Sequence, residues 1–287
     1  MTPTYGCIVL TQGRRPDDLR RATQSLLSQQ GVAVDIVVVG NGWEPTDLPP
    51  GVRALALPAN VGIPAGRNAG VPHVRGDLLF FLDDDASLLE RDALQRVARK
   101  FADDPRLGLL QLRVAPQSGG RPLRNWVPRL RVGDRGRSSD ITAVWEGAVA
   151  VPRRVFEEVG RWPGHFRFVH EGIDLAWRVM NAGYRVRYAG DVIALHPAHQ
   201  PARHSYSPYF SARNRVWLAR RHLPLPLAAV YVIAFAVRTL PALRSAHDAR
   251  QIARGYRDGI RQPCGERRTL SARTVWRMTR AGRPPVL

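Results

Sequence analysis

The chain has 287 residues, 44% hydrophobic and 23% charged, enough core for one large α/β domain or two small ones; disorder and low complexity are excluded. Its net charge of +19 comes from 43 basic residues against 24 acids, and a single lysine, Lys100, stands among the arginines. Residues 201–287 hold 17 arginines and three acids, a net +14, which leaves only +5 for residues 1–200. The last third therefore reads as a basic extension of the kind that faces an anionic partner: nucleic acid, a membrane surface or a phosphorylated substrate. Cys7 and Cys264 cannot build a disulfide framework or a zinc site, and Cys7, inside the apolar run Cys7-Ile8-Val9-Leu10, reads as a small core residue in a reducing compartment. Met1-Thr2-Pro3-Thr4-Tyr5-Gly6 lacks the basic and apolar regions of a signal peptide, so a cytoplasmic location is expected.

Residues 1–100 alternate short apolar runs with amphipathic stretches, the pattern of β-α-β units around a mostly parallel sheet. Strands are predicted over 5–10, 32–39, 52–57 and 78–82. Pro16-Asp17-Asp18 opens a helix on which Leu19, Ala22, Leu26 and Leu27 recur at helical spacing, and a second helix is expected over about 87–101. Further strands are predicted at 107–114, 143–151, 184–188 and 192–195, with a helix near 171–181. Residues 115–140, rich in Gly, Arg, Ser and Pro, form a long loop that is either functional or a tolerated surface insertion. Beyond His196-Pro197, residues 206–222 read as an arginine- and aromatic-rich helix. The apolar run 227–237 that follows is far shorter than the roughly 18–20 residues needed to span a bilayer. It fits a buried helix or an interfacial one flanked by arginines.

The strongest local signal is Phe80-Phe81-Leu82-Asp83-Asp84-Asp85, three carboxylates at the carboxyl end of an apolar strand, where open α/β sheets bind ligands. If strand geometry persists through the triplet, Asp83 and Asp85 point to one side and Asp84 to the other, so that two carboxylates converge. Adjacent anions repel unless a cation holds them, and a hard divalent ion is the usual one. The plainer reading is an acidic helix N-terminus capped by Asp85 or Ser87. In Asn60–Gly70, Gly62, Gly66 and Gly70 recur every fourth residue and leave a face bare of side chains, suited to a ligand or to tight packing on a sheet. Arg67 within it can meet a diphosphate or a neighbouring Asp. In His170-Glu171-Gly172-Ile173-Asp174-Leu175-Ala176-Trp177-Arg178, Glu171 at the mouth of a helix is placed to act as a general base, while Asp174 and Arg178 form an i,i+4 pair.

Taken in order, these pieces resemble the inverting nucleotide-sugar glycosyltransferases of family 2, over roughly residues 5–222. The resemblance is carried by Thr11 at the first strand end, Val37-Val38-Val39-Gly40-Asn41, Asn60–Gly70, Asp83–Asp85, Gly147-Ala148 before Arg153-Arg154, Glu171–Arg178, His196-Pro197 and Arg213-Asn214-Arg215. It implies a GT-A-type, Rossmann-like, mostly parallel α/β sheet flanked by helices. The implied glycosyltransferase domain spans 1–205, with its nucleotide-sugar half at about 1–114 and its acceptor half at 115–205; 206–287 is a basic helical C-terminal extension. It further implies that Thr11, Asn41 and Arg67 contact the nucleotide, with Asp83 and Asp84 at the ribose or diphosphate. Asp85 binds Mn²⁺ or Mg²⁺, helped by Asp83 or His196, and the donor is a nucleoside-diphosphate sugar.

Two departures from the family pattern stand out. Gly40-Asn41 replaces the usual Asp-Asn at the second strand end, which puts a uracil preference in doubt. Glu171-Gly172 replaces two adjacent acids, which favours Glu171 over Asp174 as the base that takes the proton of an acceptor hydroxyl. The acceptor pocket is expected around the 115–140 loop, Trp145, Glu146, Trp162 and His165, with the two tryptophans either stacking on a sugar or packing in the core. The basic extension is expected to contact an anionic membrane peripherally, on its inner face, or to lie beside an anionic acceptor. Rival readings are a nucleic-acid-binding protein, for which no aromatic-basic platform is evident, and a nucleotidyltransferase, for which Thr11-Gln12-Gly13-Arg14-Arg15 is only a partial phosphate loop.

Overall fold

A computed structural model describes residues 2–198, 206–239 and 245–285. The N-terminal half is built as the apolar runs demand. Strands β1 (Thr4–Thr11), β2 (Ala33–Asn41), β3 (Val52–Leu57) and β4 (Leu78–Asp83) lie parallel, linked in part by α1 (Pro16–Leu27) and α2 (Ile63–Gly70). Then follow β5 (Ser87–Leu88), α3 (Ala93–Asp103), β6 (Leu107–Pro116), β7 (Ser139–Asp140), β8 (Ala148–Pro152), α4 (Arg153–Glu158), α5 (Glu171–Asn181) and β9 (Arg185–His196). Among the described residues the strands make one sheet in the order β3-β2-β1-β4-β8-β6-β9-β5, with β7 also on β9. Strands β1 to β4, β6 and β9 run one way, while β8, β5 and β7 run against their neighbours.

The central strands alternate with period two between two buried faces. Cys7, Val9, Ile36, Val38, Phe80 and Leu82 face α1 and α3, packing on Leu19, Leu26, Leu94 and Val97. Ile8, Val37, Val39, Leu79 and Phe81 face the other way, onto Phe156 of α4 and Leu175 and Val179 of α5. Cys7 is a fully buried core residue, and both cysteines are free thiols. The glycine face of α2 serves this packing: a Cβ at Gly66 would lie 2.5 Å from Leu10 Cδ1, and one at Gly70 2.8 Å from Ile8 Cγ2.

Three element boundaries differ from those the sequence predicts. The helix expected from 87 starts at Ala93, because Ser87 and Leu88 pair instead with Leu195 and Ala194 on the open edge of β9; neither Asp85 nor Ser87 caps it. The strand expected over 143–151 shortens to β8, and residues 143–147 turn toward a cleft, where Trp145 N donates to the Gln111 side chain at 2.7 Å. The two strands expected at 184–188 and 192–195 are one, β9, with an irregular register against β6.

Beyond residue 205 come α6 (Ser207–His222), α7 (Leu225–Thr239), α8 (Ala246–Arg261) and α9 (Ala272–Arg280). The boundary expected at 205/206 touches residues outside those described. Helix α6 is bolted to α5 through one carboxylate. Asp174, fully buried, meets Arg178 Nη2 at 2.6 Å, Arg221 Nε at 3.0 Å and His222 Nε2 at 2.6 Å. Burial alone would raise its pKa, but the charge of Arg178, the charge and hydrogen bond of His222, and the charge of Arg221 hold it well below the usual carboxylate range. The Asp174 carboxylate, expected above as an alternative base, is engaged by Arg178, Arg221 and His222 and does not line the cleft described below.

Removing one member of a buried ion network strands the others. Asp174→Asn is expected to cost about 3–5 kcal/mol of stability at neutral pH, read by denaturant unfolding. Because the folded-state pKa is depressed, the contribution of Asp174 is present above the unfolded-state value and lost as pH falls below it. The stability gap between wild type and variant should accordingly narrow toward acid.

Candidate active site

One cleft of about 1220 Å³ opens at the carboxyl ends of β1, β2 and β4 and is walled on its far side by the start of α5 and by α6. Strand β4 ends at Asp83, and Asp84 and Asp85 lie in the turn that follows, so the turn and its partners, not strand alternation, set the directions of the triplet. Asp83 Oδ1 accepts from Arg67 Nη2 at 2.5 Å. Asp84 Oδ2 accepts from Thr11 Oγ1 at 2.6 Å and its Oδ1 from Arg15 Nη2 at 2.6 Å. Arg15 also pairs through Nη1 with Asp85. Burial pushes Asp84 up to about 6, and Arg15 and Thr11 offset only part of that. Sequence reasoning misses Arg15; its signal is an arginine four residues beyond the strand-end Thr11, too common a spacing to single out.

Asp83, Asp85 and His196 form a cluster in which one donor atom from each lies within 4.8 Å of the others. His196 Nε2 is 3.0 Å from Asp85 Oδ1 and 3.9 Å from Asp83 Oδ2. Its Nδ1 lies 2.6 Å from the Pro197 carbonyl, which holds the ring by the far nitrogen and turns Nε2 into the cluster. Burial opposes protonation of His196, but the hydrogen bond and charge of Asp85 outweigh it and raise its pKa. Two carboxylate oxygens and one imidazole nitrogen suit a divalent ion of Mn²⁺ or Mg²⁺ type.

Glu171 begins α5 and Glu146 precedes β8; both line the same cleft as this cluster. The chain enters α5 through Arg167, Val169 and His170, all with φ between 56° and 68°, a conformation that costs roughly 1–3 kcal/mol per residue unless held. Asn214 of α6 holds it: its Nδ2 donates to the carbonyls of Phe166, Phe168 and Val169 at 3.1, 2.7 and 2.9 Å. Arg213 adds a bond to the Phe166 carbonyl at 2.8 Å. Glu146 Oε1 accepts from Gly172 N at 2.6 Å. Burial, then the neighbouring Glu146 charge, pushes Glu171 up to about 8. Burial also raises Glu146, eased by the charge of Arg67 and the Gly172 amide.

The other expected residues divide between the cleft and the core. Thr11, Asn41, Arg67, Asp83, Asp84, Asp85, Glu171 and His196 all line the cleft. Asn41 spends its amide on the 60–62 turn, donating to Asn60 Oδ1 at 3.1 Å and accepting from Val61 N at 2.9 Å. Gly40 has no room for the Asp common in the family, because a Cβ there would lie 1.9 Å from the Trp43 carbonyl oxygen. From the 115–140 loop, Arg124, Asn125, Trp126, Val127 and Pro128 reach the cleft. Trp145 stands at its edge, its ring 5.0 Å from that of His196. Trp162 is core: it is buried against Phe81 and Phe156 and lies under the Arg67 guanidinium. His165 packs on Trp217 and does not line the cleft.

A strand-end acid cluster with an imidazole and a helix-borne carboxyl in one cleft of a mixed sheet fits a GT-A-type fold, and known structures agree. The chain superposes on a structure of GalNAc-T7 with UDP, GalNAc and Mn²⁺ at TM-score 0.64 and 12% identity, covering 91% of this chain and 56% of that one. It superposes on the mannosyltransferase PcManGT from Pyrobaculum calidifontis in complex with GDP-Man and Mn²⁺ at TM-score 0.56 and 17% identity, covering 98% and 73%. The chain belongs to glycosyl transferase family 2, whose model matches residues 3–160, more than half of it. Among curated proteins, it is 26% identical over 144 residues to the O-antigen chain rhamnosyltransferase RfbN of Salmonella typhimurium. That match covers 47% of this chain and 45% of the relative, so the chain spans less than half of that relative's length.

If the Asp83–Asp85–His196 cluster holds a divalent ion, Mn²⁺ raises the thermal midpoint of the wild type, since a ligand of the native state alone stabilises it. Asp85→Ala and His196→Ala should each abolish most of that rise in a thermal-shift titration; a full rise in both variants would rule the cluster out.

Proposed function

We propose that the protein is a metal-dependent, inverting glycosyltransferase that moves a sugar from a nucleoside-diphosphate sugar to an acceptor hydroxyl. The observation that carries this reading is one cleft lined both by Asp83, Asp85 and His196 and by the carboxyls of Glu146 and Glu171. The complexes named for the two structural neighbours, with UDP or GDP-Man and Mn²⁺, support a nucleotide-sugar donor and a divalent ion. Family membership speaks against the nucleic-acid-binding and nucleotidyltransferase readings.

Thr11, Asn41, Arg67, Asp83 and Asp84 are the proposed donor contacts, and Asp83, Asp85 and His196 the proposed ligands of Mn²⁺ or Mg²⁺. When bound, the ion supplies Lewis-acid stabilisation of the charge that grows on the departing diphosphate. The protein's own residues do the rest. Thr11, Arg15 and Arg67 hold the three aspartates in fixed directions through the bonds described above, so the donor meets a preorganised strand end. The acceptor hydroxyl, a poor nucleophile while protonated, gives its proton to the carboxyl pair at the mouth of α5. Attack from the face opposite the diphosphate inverts the anomeric centre. The tip of the 115–140 loop and Trp145 form the proposed acceptor wall, where the half-buried Trp145 ring offers a face for stacking.

The basic C-terminal helices are the proposed site of peripheral contact with an anionic membrane. Helix α7 buries Tyr231 but leaves Leu225, Val230, Ile233 and Val237 exposed, next to arginines such as Arg238, the pairing that an interfacial helix uses. Among the described residues no helix is long and apolar enough to cross a membrane.

Two experiments test these readings. Incubation with a panel of nucleoside-diphosphate sugars and Mn²⁺ should release one nucleoside diphosphate selectively, and Asp85→Ala should lower that rate by at least about 100-fold. In liposome flotation, the wild type should rise with vesicles rich in phosphatidylglycerol and not with neutral ones, and Val230→Asp/Ile233→Asp should stay below. Equal recovery of both proteins would remove the membrane contact.

A further inference from the structure

The family pattern places two adjacent acids where this chain has Glu171-Gly172, so one carboxyl is missing from the start of α5. A Cβ at Gly172 would lie 2.4 Å from Glu146 Oε1 and 2.5 Å from the Val144 carbonyl oxygen. The Glu146 carboxyl therefore fills the space that a side chain at 172 would enter, and the glycine is what admits it. Its Oε1 accepts the Gly172 amide at 2.6 Å, in the first turn of α5, where free amides and the helix dipole favour an anion.

Glu171 and Glu146 are not equivalent in this arrangement. Glu171 is 2% exposed, and among the described residues its Oε2 has no hydrogen-bond partner, which is the environment of a neutral carboxyl. Glu146 is half-buried and lines the cleft from the segment that also carries Trp145 to its edge. Two carboxyls this close do not ionise independently, and the more buried one retains the proton.

We propose that Glu146, not Glu171, is the catalytic base: its carboxylate takes the place of the acid absent at position 172 and removes the proton of the acceptor hydroxyl. This rests on the transferase reading given above. As the acceptor O–H bond breaks, its proton joins a Glu146 oxygen. The acceptor oxygen forms the new bond to the anomeric carbon, and the bond from that carbon to the diphosphate oxygen breaks, its electron pair leaving with the nucleoside diphosphate. Glu171 stays protonated and serves as the positioning partner that keeps a single negative charge on the pair.

The experiment uses the full chain with Mn²⁺ and the sugar nucleotide that the wild type cleaves fastest among UDP-, GDP- and dTDP-sugars, reading nucleoside-diphosphate release to water or to added acceptor. Glu146→Gln should lower kcat by roughly 100- to 10,000-fold with donor KM unchanged, a larger loss than that of Glu171→Gln. Glu146→Ala should regain at least about tenfold of its rate on addition of formate, a gain that a merely structural role would not give. Glu146→Gln within tenfold of wild type, or formate without effect on Glu146→Ala, overturns the assignment. No release by the wild type from any of the sugars overturns the transferase reading itself, and this inference falls with it.

Discussion

Five carboxyl groups share one cleft, and their mutual repulsion is the constraint on which the rest of the site depends. Asp83, Asp84 and Asp85 are covalent neighbours at the end of a buried strand, so the chain cannot separate them; it can only set counter-charges among them. Arg67 takes Asp83, Arg15 bridges Asp84 and Asp85, and His196 closes on Asp85. Each partner comes from a different element: α2, the turn after β1, and the end of β9. The Glu146–Glu171 pair is balanced differently, by the α5 amide and by a retained proton.

The second dependency runs through the basic extension. Its arginines look at first like a surface for an anionic partner, yet several are internal fastenings. Arg221 and His222 share Asp174 with Arg178, and Arg213 with Asn214 satisfies carbonyls of the 166–169 turn. That turn is held in left-handed conformations that would relax without those donors. Helix α6 is thus part of the machinery that presents Glu171 and Gly172. Segment 264–270 is fastened to the same helix end, since Arg268 N and Leu270 N donate to the carbonyls of Arg221 and His222, both at 2.8 Å.

Much of the fold is legible in the patterning of the chain alone. The apolar runs at 5–10, 32–39 and 78–82 read as strands of a mostly parallel sheet, and β1, β2 and β4 form there, with side chains in both core clusters. Short or context-dependent elements are not legible in this way. Helix α4 has only six residues, too few to show periodicity, and the two-residue β5 forms because β9 presents an open edge nearby. Trp162 and Trp145 read alike along the chain, yet one lies under Arg67 in the core and the other at the rim of the cleft.

The apolar runs are enough to place the strands of the N-terminal half and to put three acids at the end of β4; the directions of Asp84 and Asp85 are set by the turn after it. Which carboxyls of the helix side face the cleft is settled only once the chain has folded. Asp174 and Glu171 lie three residues apart on one helix, but distant Arg221 and His222 claim the first, and Glu146, from another element, enters the gap left by Gly172 beside the second. Charge, burial and room at a site are sums over elements far apart in the chain, and no local pattern contains them.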